Sequence, residues 1–225
     1  MKKHLLAAAI GALISFSAAA APILTAEETL STGLKNTNGL VNPLTFAKFD
    51  SSLGELTSVH IRLTGYEETG YTATDLGGAS NTFTFTNDVT VNLKTLGGIS
   101  LATVLPTVTD IQTVAANDTY QSAGFPARAL TNTVTSPDQV FLDAATLALF
   151  VGPGTIELNT SATSANSVVG TGDITSTILT RYEATASVWY DYELRTTPPG
   201  TIPEPASMAL VGLGMVGLAA VRRRK

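Results

Sequence analysis

From Arg181 to Tyr192 the chain alternates without a break. Tyr182, Ala184, Ala186, Val188, Tyr190 and Tyr192 fall on one parity, and Arg181, Glu183, Thr185, Ser187, Trp189 and Asp191 on the other. Successive side chains leave a strand on opposite faces, so a period of two marks a half-buried antiparallel strand. A helix cannot gather such positions onto one face. The same period recurs upstream. Thr57, Val59, Ile61 and Leu63 read as a core face, against Leu56, Ser58, His60 and Arg62 on the outer one. Phe83 and Phe85 alternate with Thr82, Thr84 and Thr86, and Val89, Val91 and Leu93 alternate with Thr90, Asn92 and Lys94. Asn87-Asp88, between these two runs, reads as a turn or a bulge. Threonine is about one residue in six, which favours strands over helices.

One segment departs from the pattern. Asp143 stands where an N-cap belongs before the apolar stretch Ala144–Phe150, and Gly152-Pro153-Gly154 would stop the helical turn. Asn166 to Thr171 is small and polar and reads as a connection. Many short strands and almost no helix predict an all-β fold, an antiparallel β-sandwich. Jelly-roll and immunoglobulin-like topologies both remain open.

The two ends of the chain follow other rules. Lys2, Lys3 and His4 precede an apolar core from Leu5 to Phe16, followed by small residues from Ser17 to Ala21. That is the order of a secretory signal peptide, which implies export through the Sec route. Ala18 and Ala20 meet the small-x-small rule and leave Ala21 as the new N-terminus. At the other end, Pro203-Glu204-Pro205 precedes an apolar run from Ala206 to Val221, closed by Arg222, Arg223, Arg224 and Lys225. The run is about 16 residues, or ~24 Å as a helix, against a bilayer core of ~30 Å. It is short for a permanent span. The basic end resists translocation and acts as a cytoplasmic stop. The prolines hold Glu204 extended at the outer membrane face, as a processing enzyme would need. A simple C-terminal anchor is the alternative on topology alone. The expected organisation is a signal peptide (1–20), a β-sandwich surface domain (21–195), a Pro/Gly linker (196–202) and a transmembrane sorting segment (203–225).

This tail resembles the PEP-CTERM sorting signal of Gram-negative bacteria. The resemblance implies that an exosortase, an integral-membrane cysteine protease, recognises and cuts it. It also implies transient residence in the inner membrane, then delivery to the cell surface or extracellular matrix. Bacteria with this signal are typically biofilm and exopolysaccharide producers, so extracellular polysaccharide is an expected partner. A second resemblance lies within the domain. Residues 46–59, from Phe46-Ala47-Lys48-Phe49-Asp50 to Leu53-Gly54-Glu55-Leu56-Thr57-Ser58-Val59, are similar to the opening of the choice-of-anchor E domain. Gly152-Pro153-Gly154-Thr155-Ile156 and Ala186 to Tyr192 stand where that family has its later motifs. The resemblance covers most of residues 21–193. It implies an exported surface domain and carries no catalytic residues with it.

Charge and composition narrow the chemistry. Outside the signal peptide and the basic end, seven basic residues face eighteen acidic ones, a net charge of −11 with Glu204 counted. Such a surface repels nucleic acid. With no cysteine, thiol catalysis and zinc-cysteine sites are excluded. His60 is the one histidine beyond the signal peptide, is expected to face solvent, and has no Gly-x-Ser-x-Gly elbow to serve. Glu67-Glu68 and Asp191/Glu193 are carboxylate pairs of the kind glycoside hydrolysis uses, but adjacent Glu67 and Glu68 should point to opposite faces. Asp50, Asp75, Asp88, Asp118 and Asp173 sit near expected turns, where solvated acids are commoner than calcium ligands. Trp189, on the polar face of the last strand, with Tyr66 and Tyr71 in a turn-rich region, is a candidate platform for sugar stacking. The expectation is a non-enzymatic domain without cofactor or metal.

Overall fold

The structure is a computed structural model and describes residues 21–122 and 129–195. Its strands are β1 (Ile23–Leu24), β2 (Glu28–Ser31), β3 (Lys35–Asn36), β4 (Asn42–Ala47), β5 (Glu55–Asp75), β6 (Asn81–Thr95), β7 (Ser100–Val104), β8 (Thr107–Val114), β9 (Thr119–Gln121), β10 (Leu130–Thr135), β11 (Gln139–Phe141), β12 (Thr155–Gly170) and β13 (Ile174–Glu193). One helix, α1 (Ala144–Phe150), lies between β11 and β12. Asp143 caps it as expected, its carboxylate accepting the Thr146 amide at 2.8 Å.

The strand order decides between the two topologies left open. In the first sheet β13 and β5 are central. The short strands β1, β2 and β3 line up along the free edge of β13, and β9, β10 and β11 along that of β5. In the second sheet β12 and β6 are central, with β4 beside β12 and β7 and β8 beside β6. Each interrupted edge can be counted as one column. The chain then pairs its first column with its last, its second with its seventh, its third with its sixth and its fourth with its fifth. All of these pairings are antiparallel. A long hairpin rolled up on itself has this pairing, which is the jelly roll and not the immunoglobulin order.

The inner faces pack on each other. Val59, Ile61, Leu63, Tyr182 and Ala184 of the first sheet meet Leu44, Phe46, Val89, Val91 and Leu158 of the second. A second apolar cluster, around Tyr71, Phe83 and Phe85, lies toward the far end.

Four local expectations need correction. Asn87-Asp88 is no turn: β6 runs straight through, and Asn87 points inward in phase with Phe85 and Val89. The glycine- and acid-rich stretch after Leu63, including Tyr66 and Tyr71, is not turn-rich. It completes a 21-residue strand because β13 pairs with it throughout. Residues 166–170 belong to β12, held by β6, which leaves only Thr171-Gly172-Asp173 as the connection. Leu56 faces the core, not the outside, because the register shifts at Asp191/Tyr192 and the bulge reverses the parity of the strand beyond it.

The opening motif of the second resemblance has a plain physical role. Asp50 Oδ1 accepts the Ser52 amide at 2.8 Å and closes a tight turn. A Cβ on Gly54 would lie 2.2 Å from the Glu193 carbonyl oxygen, so only glycine lets the chain pass the end of β13 here.

Among the described residues no helix is long and apolar enough to cross a membrane. The signal peptide, the linker 196–202 and the sorting segment 203–225, with Ala18, Ala20, Pro203, Glu204, Pro205 and the basic end, lie outside the described residues.

Candidate functional site

The densest set of chemically able side chains lies on the outer face of the first sheet. His60 on β5 stands directly opposite Trp189 on β13, and Ser58 opposite Asp191. Asp138, in the connection between β10 and β11, reaches in from the neighbouring edge. His60 Nδ1 lies 3.0 Å from Asp138 Oδ2, and its Nε2 lies 2.9 Å from Asp191 Oδ2 and 3.0 Å from Ser58 Oγ. Ser58 Oγ donates to Asp191 Oδ2 at 2.8 Å. The imidazole stacks on Trp189 at 5.2 Å between ring centres, and the Arg62 guanidinium lies 4.9 Å from the indole centre. Arg62 in turn lies 3.6 Å from Glu27.

His60 was expected to face solvent, yet its side chain is only 14% exposed. Its strand position is outward, but the Asp138 connection and the indole cover it. Trp189 offers no open platform for a sugar. It is 7% exposed, with its ring flanked by His60 and Arg62. The residue type suggested a binding face, and cross-strand packing closes that face.

The distances from Ser58 to His60 to Asp138 are those of a serine-histidine-acid relay. The protons decide otherwise. In a relay, Nε2 must be a free base aimed at the hydroxyl. Here Asp191 faces the same nitrogen, and the Ser58 proton goes to Asp191. Partial burial pulls the imidazole pKa down, but the hydrogen bonds and charges of Asp138 and Asp191 outweigh it and leave it above 6.5. The cluster therefore sets the imidazole between two carboxylates that favour its charged form, and Ser58 is 3% exposed. Such an arrangement ties β13, β5 and the β10–β11 connection together.

A second polar cluster, which alternation alone could not show, sits between the sheets. Glu67 of β5 is fully buried, and its Oε1 accepts from Asn87 Nδ2 of β6 and, at 2.9 Å, from Thr69 Oγ1. Thr69 Oγ1 also lies 3.2 Å from Thr180 Oγ1. Glu67 Oε2 and Asn87 Oδ1 are buried with no hydrogen-bond partner. Burial raises the Glu67 pKa, and the hydrogen bonds from Asn87 and Thr69 offset this only in part. Glu68, on the opposite face as expected, pairs with Arg181 at 2.8 Å. The two acids share no substrate face.

Asp75 serves its turn, accepting from the Gly77 amide at 2.8 Å and from Asn81 Nδ2 at 2.9 Å. Asp88, within β6, instead accepts across the strands from Thr107 Oγ1 of β8 at 2.7 Å. Among the described residues no group of three or more His, Asp or Glu side chains is placed to hold a metal ion.

The domain is thus a jelly roll with a closed outer ion cluster and a buried acid-amide pair, followed in sequence by a targeting tail. Residues 201–225 match the PEP-CTERM protein-sorting motif. That motif marks an exported protein that passes through the membrane and is sorted by an exosortase. No curated protein matches the chain. Among solved structures, a chain of the T13 IBDV viral particle is similar at 12% identity, with a TM-score of 0.23, over 96% of this chain and 51% of that one. The infectious bursal disease virus VP2 subviral particle is similar at 13% identity, with a TM-score of 0.23, over 83% of this chain and 41% of that one. The Macrobrachium rosenbergii extra small virus particle is similar at 9% identity, with a TM-score of 0.17, over 83% of this chain and 95% of that one. The chain spans about half the length of the first of these. Likeness this slight leaves the fold resting on the strand order itself.

Proposed function

We propose that the protein is an envelope protein of a Gram-negative bacterium, exported through Sec and sorted by exosortase. In this reading its β-sandwich is a non-catalytic domain of the choice-of-anchor E type, with a structural or binding role at the cell surface or in an exopolysaccharide matrix. The observation that carries this reading is the sorting motif at residues 201–225, set directly after one folded domain and a Pro-rich linker. The closed state of the outer cluster supports a non-catalytic role, because a carboxylate shares Nε2 of its histidine and its serine is covered. The rival reading is a periplasmic binding module that keeps its tail as an inner-membrane anchor. An enzyme acting on polysaccharide is the third.

The intact mass of the protein purified from its own host separates the first two. A chain ending near Pro203-Glu204-Pro205 and lacking Arg222 to Lys225 is the expected result. A complete C-terminus in the inner-membrane fraction would make the tail an anchor. Cleavage of matrix polysaccharide that is lost on Glu68→Gln or Asp191→Asn substitution would favour the enzyme.

A further inference from the structure

The two ends of the sandwich are built differently. At one end lie the turns after β5, β8 and β12: Leu76-Gly77-Gly78-Ala79-Ser80, Ala115-Ala116-Asn117-Asp118 and Thr171-Gly172-Asp173. They are small and polar apart from Leu76. At the other end lie the turn before β5, the β6–β7 turn and α1 with its flanks. Here Leu53, Leu96, Ile99, Leu142 and Leu149 stand out, with Leu96 76% and Leu142 70% exposed. Leu96, Ile99 and Leu149 line one open groove with Lys48 and Ile156. Exposed aliphatics also lie along the sides of the sandwich, among them Leu34, Leu40, Val41 and Leu105 on connections between strands. What sets this end apart is that five of them gather on its loops, against Leu76 alone at the other end.

Both ends of the described domain leave from this same end. β1 pairs with the last residues of β13, so Ala21 and Arg195 emerge together. Arg195 lines a second groove beside α1, with Leu56, Leu147 and Val151. Ten residues separate Arg195 from the apolar run that begins at Ala206. Fully extended they reach ~35 Å. The sandwich itself is about 70 Å long, judged from the 21 residues of β5 at ~3.3 Å each. While the tail is in the membrane, the aliphatic end is therefore held within reach of the bilayer, and the polar end reaches it only if the domain lies flat.

We propose that this end of the jelly roll seats on the outer surface of the membrane while the chain is tethered, with Leu96 and Leu142 entering the headgroup layer. The proposal rests on reading residues 206–221 as a membrane segment. Aliphatic tips on loops partition into the interface when they can leave water without burying a charge. A short tether supplies a millimolar effective concentration, so a contact too weak to hold a free protein is enough. Lys48, Lys94 and Arg195 are the basic groups here, against Asp50, Glu55, Asp143, Glu157 and Glu193. The acid excess selects a zwitterionic surface over an anionic one. Seating would hold Pro203-Glu204-Pro205 at the membrane face, and cutting the tail would release the domain.

The absence of cysteine makes the test clean. Leu96→Cys, Leu142→Cys and, at the opposite end, Leu76→Cys are each placed in the full chain and labelled with an environment-sensitive fluorophore. All three sites are exposed, so the fold should tolerate them. The chains are reconstituted into phosphatidylcholine vesicles and floated. The expected result is a blue-shifted emission at positions 96 and 142, quenched by spin-labelled lipid, with position 76 as in water. Floating chains whose three labels all report water would overturn the seat and leave the sorting reading intact. Chains that fail to float have no tether, and both readings fall. A blue shift at 96 and 142 without vesicles would show that the chain's own tail covers the end, which also overturns the proposal.

Discussion

His60 and Glu67 lie seven residues apart on one strand and face opposite sides of it. Both have pKa values above the ordinary range, for opposite reasons. At His60 partners win over burial: two carboxylates favour the charged form in spite of partial desolvation. At Glu67 burial wins over partners: two hydrogen bonds do not compensate a carboxylate removed from water between two sheets. One environment favours the charged form of its group and the other disfavours it. In low dielectric, whether a buried titratable group stays ionised depends on a full opposite charge nearby, and dipoles alone do not suffice.

Substitutions can break this contrast. Asn87→Asp would place a second acid against Glu67 with no cation near. The expected loss is about 3–5 kcal/mol, as for an uncompensated buried charge, seen as a fall in the urea midpoint at pH 7. His60→Ala would leave Asp138 and Asp191 without their shared hydrogen-bond partner and Trp189 without its stacking partner. A loss of about 2 kcal/mol is expected, the scale of hydrogen bonds to a charged group. Glu67→Gln should act in the other direction. Its amide can pair with Asn87 in both senses, satisfying both orphaned oxygens. A gain of about 1–3 kcal/mol at pH 7, the scale of one unsatisfied buried group, is expected in the same unfolding series. No gain would mean that water or a neighbour already serves Glu67 Oε2.

The pH dependence sharpens the comparison. A raised folded pKa means that the folded state holds the proton more tightly than the unfolded chain does. The contribution of Glu67 is therefore fully present below pH 4.5 and lost as pH rises through its folded value. That of His60 is present below pH 6.5 and lost through its own folded value above that. Thermal midpoints should fall as pH rises through each range. Glu67→Gln should remove one step and His60→Gln the other. The smallest effect is expected at an exposed cross-strand pair, Thr64 and Thr135, whose hydroxyls lie 2.9 Å apart. Thr64→Val should change stability by no more than about 0.5 kcal/mol.

Legibility in the sequence followed the apolar side chains. The inward parity of Tyr182 to Tyr190 and of Val59 to Leu63 could be read directly, because a strand with one buried face must alternate. Asp143 and Gly152-Pro153-Gly154 bounded the helix because caps are local chemistry. Asn87 was opaque because Asn-Asp has the composition of a turn, and only the partner strand shows that it is buried. The same holds for Gly65 to Gly70 in β5 and for residues 166–170 in β12, where pairing with long neighbours overrides weak strand propensity. Leu56 was assigned to the wrong face because a bulge is invisible to a two-residue period. His60 and Trp189 have outward parity, but parity does not say what lies above them.

The sequence by itself determined the targeting tail, the all-β character and the facing of most strands. Each of these rests on neighbours within a few residues. Strand order, the choice of a jelly roll over an immunoglobulin order, the His60 and Glu67 clusters and the gathering of aliphatic tips at the end where the tail leaves were decided by the tertiary structure alone. They depend on contacts between residues far apart in the chain, 131 positions for His60 with Asp191 and 165 for Thr25 with Tyr190, and no local pattern records which distant strand will lie alongside.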